Sequence, residues 1–215
     1  MKPLKKTPKK RAYHHGDLKD QLVAAAEAII LEKGVEGFTL REAARRAGVS
    51  PAAPAHHFND AKGLLAEVAL RGFRDFGDAL DAADRRESDP HARLVAQGVS
   101  YVNFALKYPA RLQLMFTRAK YDTSYPGLAP VSQRAFQILE RAVRAATDSG
   151  TAPLTKDAMG YLIAVWSIVH GFSHLLLGGE MDGLVPSGGK RAIVETFLPL
   201  TLKHLPIPAA SQKTA

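Results

Sequence analysis

The sequence predicts an all-α protein in which a small N-terminal three-helix unit precedes a larger helical domain. Apolar residues recur at helical spacing along most of the 215 residues, and no segment shows the convincing alternation of a strand. Signals for helix starts and stops divide this pattern into segments. With 46% hydrophobic and 23% charged residues, the chain has the composition of a globular protein with a packed core.

Two helices are predicted in the first part of the chain. Asp17 can cap a helix that runs to about Lys33 and carries apolar residues on one face. Thr39 and Glu42 have the spacing of a capping box, which predicts a second helix over 40–47.

The next two caps predict a short third helix and a long fourth one. Ser50 supplies an N-cap, and Pro51 occupies the first position of a helix that runs to about Phe58. Asp60 then caps a helix that runs to about Arg85.

The remainder of the chain predicts a larger helical domain. Segment 178–190 contains five glycines and is expected to be a mobile loop. Pro199 is expected to end or kink the last helix. Further helices are predicted near 90–107, 109–116, 130–148, 156–177 and 189–204.

Positive charge is concentrated at the N-terminus. Residues 1–16 carry a net charge of +6 with no acidic residue, against +8 for the whole chain, so the other 199 residues carry only +2. A basic arm on a nearly neutral body is typical of a flexible tail that reaches phosphates. A solubilising leader is the alternative.

Composition and local sequence patterns argue against cysteine chemistry, a secretory signal and a membrane span. The chain has no cysteine, which rules out disulfides, thiolate metal sites and cysteine nucleophiles and fits a cytoplasmic protein. The basic N-terminus leads into polar residues, unlike a secretory signal. No run of about 18 apolar residues predicts a membrane span.

The strongest functional signal is the block FTLREAARRAGVSPAAPAHHFNDAKGLL at residues 38–65. It predicts two short helices around a glycine-containing turn, as in a helix-turn-helix whose second helix enters the major groove of DNA. An ordinary helical hairpin is the alternative. The shortness of the second helix, its small or hydrogen-bonding outward residues and two neighbouring capped N-termini favour DNA.

This block resembles the tetracycline-repressor (TetR) family of transcription regulators. The resemblance extends to YPARLQLMF at 108–116, and the W-x-x-x-H-G pattern at 166–171 resembles a C-terminal (WHG-type) domain found in part of that family. It implies a homodimer whose C-terminal helices form the dimer interface and a ligand pocket. The implied units are a basic disordered arm at 1–12, a helix-turn-helix DNA-binding domain at 13–60, a helical ligand-binding and dimerisation domain at 61–205, and a frayed tail at 206–215.

Carried over by position, the resemblance implies a DNA-facing surface around the second and third helices. Because residues 50–58 contain no Arg, Asn or Gln, few direct hydrogen bonds to bases are expected, and recognition should depend on DNA shape and on the arm. Of the two histidines, His57 is the better candidate for packing. The residues expected on or beside this surface are Thr39, Arg45, Arg46, Ser50, Pro51, Ala52, Ala53, His56, His57 and Lys62.

The chain departs from the family pattern at three positions of this surface. Ala55 stands where many members have Tyr, and Ala61 where they have Lys or Arg, so His56 and Lys62 are the expected replacements as phosphate contacts. Pro54 removes a backbone donor inside a short helix and is expected to distort it.

The larger domain is rich in aromatic residues, most of which should form its core. The others can line a cavity for a largely apolar small molecule. The residues expected to line it are Tyr101, Phe104, Met115, Phe116, Trp166 and His170.

No enzyme, cofactor or metal motif is found in the sequence. GxSxG, Walker A and GxGxxG are absent. His170 and His174 have the spacing of metal ligands on one helix face, but two histidines without a further ligand do not make a site, so a pocket-lining or interface role is favoured.

The sequence therefore predicts a cytoplasmic, homodimeric repressor that leaves a palindromic DNA operator when an apolar effector binds. One alternative is a helical nucleoid-type protein that binds DNA without sensing a ligand. Another is a small-molecule-binding protein or enzyme whose basic arm is incidental. The aromatic-rich second domain favours a sensor over the first alternative, and the helix-turn-helix block favours DNA binding over the second.

Overall fold

Helices account for all the regular secondary structure in the residues that the computed structural model describes, 15–184 and 188–208. This confirms the predicted all-α class. The predicted arm at 1–12 lies outside the described residues, as do 185–187 of the expected mobile loop and 209–215 of the expected tail. The helices are α1 (His15–Lys33), α2 (Leu40–Arg46), α3 (Ala55–Phe58), α4 (Ala61–Asp84), α5 (Pro90–Lys107), α6 (Pro109–Met115), α7 (Leu128–Ala146), α8 (Lys156–Gly178) and α9 (Gly189–Lys203), with short 3₁₀ helices at Val35–Gly37 and Arg118–Lys120.

Capping side chains set several of the helix starts at the predicted places. Oγ1 of Thr39 accepts a hydrogen bond from the backbone N–H of Glu42 at 3.3 Å, and Oδ1 of Asp60 accepts one from Gly63 at 2.9 Å. Asp89 caps α5 in the same way. Each such cap stabilises its helix by about 1 kcal/mol.

One predicted helix start differs from the observed one, and Pro199 lies inside the last helix without ending it. Helix α1 begins at His15, two residues before the predicted cap position, Asp17. Helix α9 continues through Pro199 to Lys203. Burial of Leu198 and Leu202 on both sides of the proline holds this helix against the core, which offsets the lost backbone hydrogen bond.

Helix α4 contributes to two hydrophobic cores. Its first half, including Leu64 and Val68, packs with α1, α2 and α3. Its second half, including Phe76 and Leu80, packs with α5 and the later helices, and Phe73 touches both cores. Any shift of α4 therefore acts on both parts of the chain.

Helices α8 and α9 leave apolar surface uncovered in a single chain. Among the described residues α8 alone is long and apolar enough to cross a membrane, with a mean hydropathy of 1.5 over 18 residues of which 33% are buried; a core helix of a soluble protein passes the same test. The exposed large apolar side chains on the two helices are Met159, Ile163, Trp166, Leu175, Phe197 and Leu200.

Candidate nucleic-acid interface and internal cavity

Helices α2 and α3 are joined by the predicted glycine turn. Gly48 has a φ of +68°, a left-handed conformation that glycine adopts without steric cost. The N–H of Val49 donates to the carbonyl oxygen of Ala44 at 3.0 Å, which closes the turn. Ala43 and Ala44 are fully buried, so α2 packs closely on its neighbours.

The third helix is shorter than predicted because of Pro54. The helix begins at Ala55, so Ser50 does not cap it, and the residues in between form turns. Pro54 has no N–H to donate to the carbonyl of Ser50, which accepts instead from Ala53 at 3.0 Å. Helix α3 is therefore a single turn that ends at Phe58, as the expected distortion implies.

The predicted DNA-facing residues differ in exposure. Ala53, His57 and Arg46 are only half-buried, so none of the ten is enclosed in the core. The exposed ones are Thr39, Arg45, Ser50, Pro51, Ala52, His56 and Lys62.

The two arginines at the end of α2 have different surroundings. The carboxylate of Glu42 accepts hydrogen bonds from Arg45 (2.8 Å) and Arg46 (2.9 Å), and these bonds lower the pKa of Glu42 to about 2. Arg46 also donates twice to Glu32, at 2.8 and 2.6 Å, and so ties α2 to α1. The side chain of Arg45 is 71% exposed against 21% for Arg46, so Arg45 is the better placed of the two to reach DNA.

The junction between α3 and α4 requires a glycine at position 63. A Cβ on Gly63 would overlap the carbonyl oxygen of Phe58. Asn59, just after α3, has a positive φ of 63°, which asparagine tolerates better than most residues. The carbonyl oxygen of Lys62 accepts from the N–H of Asp122 at 3.2 Å, so the segment before α7 contacts the start of α4.

A second contact joins the same segment to α4 through a buried carboxylate. Glu67 accepts hydrogen bonds from Arg71 and from the hydroxyl of Tyr125, each at 2.9 Å, and pairs with Lys19 of α1 at 2.9 Å. Burial alone would raise the pKa of Glu67, but these three partners outweigh it, and the pKa lies below its ordinary value. Side chains from α1, from α4 and from the segment before α7 therefore all contact the carboxylate of Glu67.

The larger domain encloses a mostly apolar cavity of about 450 Å³ between α4, α5, α6, α7 and α8. This volume lies within the range of small-molecule sites. The cavity is lined by Phe73, Phe76, Leu80, Leu94, Gln97, Gly98, Tyr101, Met115, Phe116, Arg118, Tyr121, Thr123, Leu128, Ala129, Ser132, Gln133, Ala135, Phe136, Leu139, Val165, Trp166 and Val169.

The structure places four of the six expected lining residues on this cavity and two behind it. Phe104 is buried in the core, with its ring centroid 5.1 Å from that of Phe76. His170 lies behind Tyr101, with Nδ1 2.7 Å from the tyrosine oxygen. The four on the cavity are Tyr101, Met115, Phe116 and Trp166.

Gln97 is a buried polar lining residue that is not among the six predicted from the sequence. Its side chain is only 3% exposed and lies on the buried face of α5 with Leu94 and Tyr101. Its Nε2 donates to Oδ1 of Asp84 at 2.8 Å. A glutamine at an apolar position of a helical pattern was the available signal.

The two histidines of α8 lie side by side. Their ring centroids are 4.6 Å apart. Burial, and then the neighbouring His174, lower the pKa of His170. The part of the chain that the structure describes contains no group of three or more His, Asp or Glu placed to hold a metal ion.

Two family models match the chain. The model described as "Bacterial regulatory proteins, tetR family" matches residues 22–68, which include α2, α3 and the start of α4. The model described as "Tetracyclin repressor-like, C-terminal domain" matches residues 94–196, which include most of the cavity lining. The two matches therefore cover both parts of the chain.

Known proteins agree with these matches. The HTH-type transcriptional regulator BetI of Brucella canis is 33% identical over 190 residues, covering 86% of this chain and 92% of its own. A protein of unknown function from Rhodococcus sp. RHA1 has a similar structure, with a TM-score of 0.70, 31% identity and coverage of 91% and 99%. The fold is shared by the regulator FadR of Bacillus subtilis, solved with stearoyl-CoA, at a TM-score of 0.65, 12% identity and coverage of 87% and 99%. This chain belongs to the tetR family of bacterial regulatory proteins, which are DNA-binding transcription regulators and not enzymes.

Proposed function

We propose that this protein is a cytoplasmic, homodimeric repressor that binds an inverted-repeat operator and is released when a small, largely apolar effector occupies the cavity. The observation that carries the proposal is the position of α4. Lys62 lies in its first turn beside the helix-turn-helix, and Phe73, Phe76 and Leu80 line the cavity further along the same helix. One rigid element thus spans both sites.

Exposed groups around α2 and α3 support contact with DNA. The N-terminus of a helix attracts phosphate because its first N–H groups are free and its dipole is positive there. Lys62 is exposed in the first turn of α4, which places a positive charge at such an end. Arg45 and His56 add exposed donors nearby in the chain. These groups suit phosphate contacts better than base readout.

The uncovered apolar face of α8 and α9 supports a homodimer. Ile163 is 53% exposed and Leu200 is 48% exposed, although both lie on helices that also pack into the core. Large exposed apolar side chains on two neighbouring helices are typical of interaction sites. A second copy would cover it through the same helices, and two-fold symmetry of the dimer would match an inverted repeat.

The segment between α6 and α7 supports coupling between the cavity and the DNA-facing surface. Tyr121 and Thr123 line the cavity, while Asp122 and Tyr125 of the same segment contact the start of α4. An effector that favours a different position of this segment also favours a different position of α4. The two recognition helices of the dimer then no longer match successive major grooves, which lie about 34 Å apart.

Selection of bound DNA fragments by the purified protein tests this proposal. A recovered inverted repeat, bound by a dimer with strong salt dependence, is the expected result. Binding of all fragments alike would support the nucleoid-type alternative. Failure to bind any duplex at low salt would overturn the DNA-binding role altogether.

A further inference from the structure

One residue of the cavity wall carries a buried acceptor that has no hydrogen-bond partner among the described residues. Oε1 of Gln97 is buried and has no hydrogen-bond partner among the residues that the structure describes. Gln97 is itself one of the residues lining the cavity, and its Oε1 lies beneath the cavity surface, so a ligand reaches this oxygen when the side chains that cover it move aside. Buried polar atoms are nearly always hydrogen-bonded, so an exception in a cavity wall indicates a site for a ligand group.

The orientation of this amide is fixed by its neighbours. A carboxylate only accepts hydrogen bonds, so the amide nitrogen of Gln97, and not its oxygen, must face Asp84. Asp84 also accepts from Arg141 at 2.9 Å, which holds the carboxylate in place. The hydrogen bonds from Arg141 to Asp84 and from Gln97 to Asp84 therefore fix the orientation of the amide, with Oε1 pointing away from Asp84.

Other buried polar groups on the cavity already have partners. The hydroxyl of Tyr101 is bonded to Nδ1 of His170 at 2.7 Å. The hydroxyl of Tyr121 donates to the carbonyl oxygen of Met115 at 3.0 Å. Among the buried polar groups of the described cavity lining, Oε1 of Gln97 is therefore the acceptor that lacks a hydrogen-bond partner.

We propose that Gln97 Oε1 accepts a hydrogen bond from the effector, and that the effector is therefore a compact apolar molecule carrying a hydroxyl or N–H donor. This inference rests on the proposed function, in which the cavity is the effector site. The acceptor lies at the level of Asp84, the last residue of α4, about 35 Å along that helix from its first residue. The donor of the effector is bound at the end of the cavity remote from the helix-turn-helix.

Matched probes that differ only in the donor test the inference. 2-Naphthol and 2-methoxynaphthalene form one pair, with an O–H donor in the first only. Indole and 1-methylindole form a second pair, with an N–H donor in the first only. Titration calorimetry on the full chain should show that each donor-bearing probe binds about tenfold or more tightly than its methylated partner, since the methylated one leaves the buried acceptor unpaired.

Two glutamine substitutions assign the preference to one residue. Gln97→Leu removes the acceptor and should bring both members of a pair to within about twofold of each other. Gln133→Leu is the matched control, because Gln133 lines the same cavity but is exposed. It should retain the full preference. If Gln97→Leu does not fold, Gln97→Met takes its place, and a crystal structure of the wild-type protein with 2-naphthol decides whether the naphthol oxygen lies within hydrogen-bond distance of Oε1.

The outcomes separate this inference from the function on which it rests. Equal binding of both members of each pair, or a preference that survives loss of the Gln97 acceptor, overturns the inference and leaves the cavity as an effector site. Failure of all four probes to bind overturns both the inference and the proposed apolar effector. DNA binding by the same preparations, measured in parallel, shows whether the protein tested is active.

Discussion

The hydroxyl of Tyr125 donates to the buried carboxylate of Glu67 across 2.9 Å, and this bond ties the segment before α7 to α4. The pKa of Tyr125 is raised to about 12 by burial and then by Glu67, so the tyrosine is a neutral donor at physiological pH. Because neighbouring residues of the segment line the cavity, this contact lies between the cavity and the start of α4.

Tyr125→Phe should loosen this contact without changing the ring. We expect a loss of about 1 kcal/mol of stability, the usual net contribution of one hydrogen bond. Amide hydrogen exchange should become faster in 121–127 and in the first turns of α4. Tyr108→Phe is the control, since Tyr108 contacts Arg111 through its ring face. Equal exchange rates in wild type and Tyr125→Phe would show that the bond does not restrain α4.

Replacement of the two arginines at the end of α2 should affect different properties: DNA binding for Arg45 and stability for Arg46. Arg45→Ala should weaken DNA binding about five- to tenfold and lower the salt slope by about one phosphate, with the melting temperature unchanged. Arg46→Ala should lower the melting temperature, because it leaves Glu32 and Glu42 without their shared partner. Melting curves and fluorescence anisotropy at two salt concentrations measure both effects. The assignment is wrong if Arg45→Ala is the variant that loses stability.

His56 and Lys62 are expected to replace the usual tyrosine and basic phosphate contacts. Lys62→Ala should weaken binding to every duplex equally, with a salt slope smaller by about one phosphate. His56→Ala should weaken binding to operator and scrambled duplex alike if the imidazole contacts the backbone, and to the operator more if it reaches a base. Both side chains are exposed, so neither variant should unfold. Unchanged affinity of the double variant would place the DNA contacts elsewhere.

The lowered pKa of His170 predicts a loss of stability in mild acid. In the unfolded chain this histidine titrates near its ordinary value of about 6.5. Between the lowered pKa of the folded protein and that value, the unfolded chain binds more protons than the folded one. The stability that neutral His170 contributes is therefore fully present above about pH 6.5 and is lost as the pH falls from there toward the folded pKa.

A variant that cannot titrate isolates this effect. His170→Asn keeps an acceptor for Tyr101 and should show a smaller drop in melting temperature between about pH 7.5 and 5.5 than wild type. His204→Asn removes an exposed histidine just after α9 and should keep the wild-type drop. Identical pH profiles for His170→Asn and wild type would contradict the prediction.

The apolar face of α8 and α9 predicts the oligomeric state. Ile163→Glu places a charge in the proposed interface and should convert the dimer into a monomer at micromolar concentration, as measured by sedimentation velocity. Leu31→Glu is the control, because Leu31 is 65% exposed on α1, away from that face. A dimer that persists in Ile163→Glu would require a different interface.

Local signals predicted most of the fold, and long-range packing accounts for what they missed. The caps at Thr39, Asp60 and Asp89 depend on residues three positions away, so the sequence shows them directly. The continuation of α9 through Pro199 depends on burial against other helices, which spacing does not reveal.

The candidate site divides in the same way. The exposed residues after α2 follow from the helix-turn-helix pattern. Gln97 became a candidate only when its bond to Asp84, thirteen residues earlier, showed which end of the amide is free. Phe104 and His170 were predicted to line the cavity but pack behind the residues that do. Helical periodicity shows which face of a helix is buried, but not whether a buried side chain reaches the cavity.

Under the proposed function, the single turn of α3 limits how many base pairs in each half of the operator the protein can distinguish. The exposed side chains of Pro51 and Ala52 cannot form hydrogen bonds to bases. A change of base within a half-site therefore removes little binding energy. The separation of the half-sites is then the stringent feature, since one inserted base pair rotates them by about 35° relative to each other. Under the proposed function, a promoter would enter or leave the control of this regulator more readily through an insertion or deletion between half-sites than through a point mutation inside one.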